Sequence, residues 1–146
     1  TRSWFAGDTF GLSYRELDTA NGAFILPTTS PVQFDPAQMH ASVDTLLAKS
    51  PVSIRIAHYG EVTECTRLAE DLHTQIDAMV EIAREALDAD DRQARIVDGL
   101  TRLYTQRAVA HGIADADARV QEILGGDIEI NAQGLGIWLD RQSRTR

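Results

Sequence analysis

Near residue 60 the spacing of the apolar side chains changes. Before it, Val52, Ile54 and Ile56 alternate with Ser53, Arg55 and Ala57, the period of two that marks a half-buried strand. After it, Leu68, Leu72, Ile76, Met79, Val80 and Ala83 recur at helical spacing, and Ile96, Val97, Leu100, Leu103, Tyr104 and Ala108 repeat the pattern. These stripes predict one helix ending near Leu87, before the acidic turn Asp88 to Asp91, and a second closed by His111-Gly112. Asp115 is placed to cap a third helix, whose Val120, Ile123 and Leu124 lead to a break at Gly125-Gly126. The stretch from about Asn131 to Leu139 is expected to be mostly helical despite Gly134 and Gly136.

The front of the chain reads differently. Ser3, Trp4, Phe5 and Ala6 resemble the end of a core strand running into Gly7-Asp8; a polar, turn-rich stretch from Ser13 to Gly22 then precedes the apolar Phe24-Ile25-Leu26, which stops at Pro27. Asp35-Pro36 begins a helix, with Gln38 three residues after the capping Asp35. Met39, Val43, Leu46 and Leu47 share one face of it, and Ser50-Pro51 ends it. The strand that follows ends at His58-Tyr59-Gly60. Strand, helix and strand in so short a span predict a layered α/β arrangement over residues 1–60, with a mostly α-helical region over 61–146.

Composition removes several classes of function. With 43% hydrophobic and 25% charged residues, 146 residues suffice for a packed core. No apolar run approaches the ~20 residues that span a bilayer. Acidic side chains number 22 against 14 basic, and a net charge of −8 disfavours nucleic acid and anionic membranes as partners. The Arg141, Arg144 and Arg146 cluster reads as a solvated tail. The single Cys65 can form no internal disulfide, which suits a reducing, cytoplasmic setting, and it reads as a small buried or half-buried hydrophobe. The strand-like opening at Thr1 leads us to expect that these residues form the C-terminal portion of a longer protein.

Two positions could carry chemistry. Asp8 follows a strand and a glycine, and His58 ends another strand before a glycine; if those strands run parallel, both project from the same end of one sheet. A carboxylate and an imidazole so placed suit Zn²⁺ or Fe, and a carboxylate can bridge two ions. The plainer reading makes Asp8 a turn former and His58 a structural residue. Thr9 and Tyr59 are candidate supporting hydrogen-bond donors, and Phe10 and Tyr14 candidates for the mouth of a pocket or for core, while Phe24 suits core better. His40 and His73 lie off the inward stripes and are expected to be solvated, and His111 is placed to interact with a helix C-terminus.

The segments Phe5-Ala6-Gly7-Asp8-Thr9-Phe10-Gly11, Pro27-Thr28-Thr29 and Ile54-Arg55-Ile56-Ala57-His58-Tyr59-Gly60 together resemble the second half of a metallo-β-lactamase-fold hydrolase, an αββα architecture. In that family a strand ending in Gly-Asp supplies an aspartate that bridges two metals, and a later strand ending in a His-containing turn supplies the last histidine. The resemblance therefore implies Asp8 and His58 as catalytic metal ligands. It further implies Zn²⁺ or Fe as a one- or two-metal cofactor, with water activated against a small-molecule substrate such as a thioester or other acyl compound. It covers Ser3 to Gly60; beyond, the similarity is to members with a helical C-terminal extension, such as the glyoxalase II-like hydrolases. The family's His-x-His-x-Asp-His signature is absent from the 146 residues. The chain alone is thus expected to bind metal weakly, to be inactive, and to associate as a homo-oligomer. The alternative is a nonenzymatic helical module whose stripes at Leu68 to Ala83 and Ile96 to Ala108 pair with another subunit.

Overall fold

A computed structural model describes residues 3–29 and 34–145; the side chain of Asp8, together with Arg146, lies outside the described part. The described chain forms two compact units, one of residues 3–28 and 36–76 and one of residues 29, 34–35 and 77–145. It is mixed α/β, with a sheet in the first unit and helices dominating the second.

Four strands build the first unit: β1 (Ser3–Ser13), β2 (Ile25–Leu26), β3 (Ser53–Ala57) and β4 (Gly60–Val62). They lie in the order β2-β1-β3-β4, with β1 and β3 parallel and both outer pairs antiparallel. The parallel pair needs a crossover, which helix α1 (Pro36–Ala48) provides. Helix α2 (Cys65–Glu85) contributes its first half to this unit. Phe10, Ile25, Val43, Ile54, Leu68 and Leu72 meet in the core between sheet and helices. Phe10 is fully buried there, so it is a core residue and lines no pocket mouth; Phe24, 4% exposed, is core as expected. Gly11 has φ 74°, and a Cβ on it would lie 2.5 Å from the Leu26 carbonyl oxygen, so no other residue type fits where β1 meets β2.

Several sequence expectations need correction here. The strand before His58 buries Ser53 and exposes Val52, because the Ser53 hydroxyl pairs with those of Ser3 at 2.8 Å and with the Glu61 carboxylate at 2.6 Å. Helix does not begin at Glu61: residues 60–62 are β4, paired to β3 through Ile54 and Val62. Ser3 to Ala6 do form strand, yet Phe5 is 84% exposed and Trp4 37%, so this end of β1 is not core.

The second unit holds the rest of α2, α3 (Arg92–Ala110) and α4 (Ala116–Arg144). The helical stripes are buried for the most part, Ile76 and Leu100 being 1% and 0% exposed, whereas Val97, Leu103 and Ile123 are only half-buried. His111 is the C-cap of α3, its N–H bonded to the Arg107 carbonyl at 2.9 Å. Asp115 takes the N-cap position of α4 with φ 50° but makes no side-chain cap bond. No break follows at Gly125-Gly126, since α4 continues for 29 residues. The continuous stripe Val120, Leu124, Ile128, Ala132 and Leu135 is buried, and that packing outweighs the ~1 kcal/mol by which each glycine disfavours helix.

A polar group is threaded through this helical core. Asn131, 1% exposed, accepts the Thr29 backbone N–H at 2.9 Å and donates to the Tyr104 hydroxyl at 3.1 Å. Burial pushes the Tyr104 phenol well above its ordinary range. The unfolded chain ionises this phenol from about pH 10 while the folded chain does not, so folding stability from Tyr104 is complete below that pH and declines above it. Equilibrium unfolding of wild type and Tyr104→Phe between pH 8 and about 11.5 should show a shallower alkaline decline in the variant. At pH 8 the variant is less stable by about 1 kcal/mol, because the Asn131 amide loses its acceptor.

Candidate functional site

The site is built where β1 and β3 run side by side. Gly7 pairs with Ile56 and Leu12 with Ala57, so residues 8–11 of β1 bow out against a single step of β3. Asp8 opens that excursion, beside the end of β3, and His58 is the next residue after β3. The parallel arrangement on which their common placement depended is therefore present.

His58 occupies a tight turn between β3 and β4 with φ 63°, followed by Gly60 at φ 117°. Hairpin turns of this kind call for positive φ, normally met by glycine or asparagine. A histidine there costs on the order of 1–2 kcal/mol, and residues kept in such conformations concentrate at functional sites. Its side chain is exposed, and the Tyr14 ring lies against it with centroids 5.5 Å apart and planes at 24°. Tyr59 turns the other way: its hydroxyl donates to Asp18 Oδ2 at 3.0 Å, and the Arg15 guanidinium stands 4.3 Å over its ring. Partial burial, with the bond to Asp18 next in weight, raises the Tyr59 phenol above its usual value. Thr9 is exposed within the excursion of β1.

Tyr14 thus meets His58, and Tyr59 meets Arg15 and Asp18, while Phe10 joins neither. Arg15 and Asp18 belong to the cluster and were missed. They sit in a polar turn-rich stretch, at a short 3-10 turn (Arg15–Leu17), where no periodicity indicates direction. A shallow depression of about 160 Å³ adjoins them, lined by Asp18, Thr19, Tyr59, Glu61 and Glu64. Arg67 fixes its far wall, donating to the Ala23 carbonyl at 3.1 Å and to Glu64 at 2.6 Å. Among the described residues no three His, Cys, Asp or Glu side chains are grouped to hold a metal ion.

The remaining histidines correct another expectation. His40 on α1 and His73 on α2 are half-buried and bonded to each other, Nδ1 to Nδ1 at 2.6 Å, and His73 Nε2 meets Asp44 at 2.9 Å. With ring centroids 4.8 Å apart, the facing nitrogens lie along the line joining the rings, as one shared N–H requires. Cys65 is 5% exposed, and burial raises its thiol. Among the described residues no helix is long and apolar enough to cross a membrane.

No known family profile, curated protein or solved structure matches the chain.

Proposed function

We propose that the chain supplies two ligands, Asp8 and His58, to the metal centre of a metal-dependent hydrolase with the metallo-β-lactamase αββα fold. The observation that carries this reading is the parallel β1–β3 pair, which brings Gly7-Asp8 to the end of β3 immediately before a left-handed, exposed His58. The sheet itself lends a second support. Phe5, Arg55 and Glu61 are register neighbours across three strands and all exposed, whereas Ile54 and Val62 on the other face are buried. A sheet with one bare face accords with an architecture in which a second sheet packs on it.

In this reading the Asp8 carboxylate and a neutral His58 ring nitrogen hold Zn²⁺ or Fe. Such an ion, when bound, makes hydroxide available near neutral pH and polarises the oxygen of an acyl or phosphoryl substrate. Tyr14 keeps the His58 ring in one orientation, and the Tyr59–Asp18 bond holds the turn that presents it. The other ligands come from residues beyond these 146 or from a second chain. A small thioester or other acyl compound is the proposed substrate, and a reducing compartment suits the buried free thiol.

The test is metal analysis, with thioester and phosphodiester assays, of a polypeptide that contains these residues together with a His-x-His-x-Asp-His segment. About two metal ions per polypeptide are expected. Asp8→Ala and His58→Ala should each lower kcat/KM by about 10³ or more, with circular dichroism unchanged. A metal-free polypeptide, or full activity in both variants, overturns the assignment.

A further inference from the structure

Helix α1, the crossover between β1 and β3, is thinly anchored. Of its 13 residues Val43 alone is fully buried, with Leu46 and Leu47 partly packed on the core. Its polar tie is to α2: His40 Nδ1 meets His73 Nδ1 at 2.6 Å, and His73 Nε2 meets Asp44 Oδ1 at 2.9 Å. Both rings are half-buried and their planes differ by 21°, so the two Nδ1 atoms face each other nearly edge to edge. At that separation one proton fits between them and two do not. A neutral imidazole keeps one nitrogen as an acceptor, whereas an imidazolium donates from both. With His73 neutral, its Nε2–H goes to Asp44 and its Nδ1 accepts from His40. One added proton leaves a donor facing an acceptor. A second leaves two N–H groups and two positive charges in contact, with no acceptor between them.

We infer that the His40–His73 pair is an acid-released clasp on α1, which holds the helix to α2 while at most one ring is charged and lets go when both are. The parted rings bind two protons and the joined rings one, so lowering the pH through the ordinary range of histidine shifts the balance toward release. The charged groups that face the pair are carboxylates: Asp44, one turn beyond His40, and Glu70 and Asp77, one turn to either side of His73 on α2. Lys49, just past α1, is turned to the Trp4 ring at 4.5 Å. On β1, which packs against α1, Asp8 is the sole ionisable residue. Carboxylates titrate ordinarily near pH 4, so between about pH 7.5 and 5 the rings alone change charge. Release frees the helix side of the first unit. It leaves α4, which contains no histidine, as it was. The clasp is separate from Asp8 and His58 and does not depend on their role.

The test uses the 146-residue chain and His40→Asn. An asparagine amide at this position donates to a neutral His73 ring and accepts from a charged one, so the variant keeps the tie without the switch. In wild type, nitrogen NMR is expected to show a coupling between the two Nδ1 atoms at about pH 7.5 that is lost at about pH 5. Amide hydrogen exchange over residues 36–48, corrected for its intrinsic pH dependence, should quicken about tenfold or more over the same interval. In His40→Asn the same amides should change less than about twofold, and those of α4 should not change in either protein. His58 and His111 titrate in both proteins, so the comparison isolates the pair. Absence of the coupling at the higher pH overturns the proposal, as does its persistence at the lower. Equal acid responses of α1 in the two proteins, no response in wild type, or a quickening that extends equally to α4 would each overturn it too.

Discussion

Leu100→Asp leaves no folded protein to study. Leu100 is fully enclosed, and Leu72 is 1% exposed in the other unit, so neither side chain is available to a partner subunit. Placing a carboxylate at either position without a partner costs several kcal/mol, against a total stability of ~5–15 kcal/mol for a domain of ordinary size. Loss of the helical signal at 25 °C in circular dichroism is the expected result for both variants, with aggregation in place of a clean monomer. This contradicts pairing through the stripes at Leu68 to Ala83 and Ile96 to Ala108, under which the same changes would release a folded monomer. A monomeric Leu100→Asp with native helicity and a cooperative melt would show that the position is not enclosed.

Two glycines of the same helix respond to alanine with opposite signs. Within α4 an alanine ordinarily gains up to ~1 kcal/mol over glycine, and Gly125, with nothing within 4 Å of a Cβ, should show that gain. At Gly134 the added methyl overlaps the Thr29 side chain. Thr29 cannot simply move aside, since its N–H is held by Asn131 and its hydroxyl donates to the Ile130 carbonyl at 3.1 Å. Breaking those bonds in a packed site should cost about 2–4 kcal/mol. Urea midpoints are expected to rise for Gly125→Ala and to fall for Gly134→Ala; movement in the same direction would exclude the Thr29 contact as the cause.

Much of the architecture could be read from spacing, because burial repeats with the period of the element that imposes it. The Asp35-Pro36 start of α1, the inward face of α3 and the turn at His58 all follow from local rules. What escaped has a common origin in contacts between distant residues. Val52 looked inward by alternation, but Ser53 is the buried one because its hydroxyl donates to Glu61 and accepts from Ser3. Three residues of β4 are too few to display a period. Gly125-Gly126 looked like a stop, yet packing on both sides carries α4 through. The His40–His73 bond joins two helices whose relative placement no spacing encodes. At the candidate site, the positions of Asp8 and His58 were legible from strand–glycine motifs, whereas Arg15 and Asp18 depended on the path of an aperiodic turn.

The excursion in β1 also separates two ladders. Between Gly7 and Leu12 the strand advances five residues while β3 advances one, from Ile56 to Ala57, leaving four residues unmatched. Before it, Ser3 to Gly7 take their register from β3; after it, Leu12 and Ser13 take theirs from Leu26 and Ile25 of β2. The two registers are set independently, so a residue removed from 8–11 would leave the Ser3–Ser53 and Ser13–Ile25 pairs in place and shorten only the arc that carries Asp8.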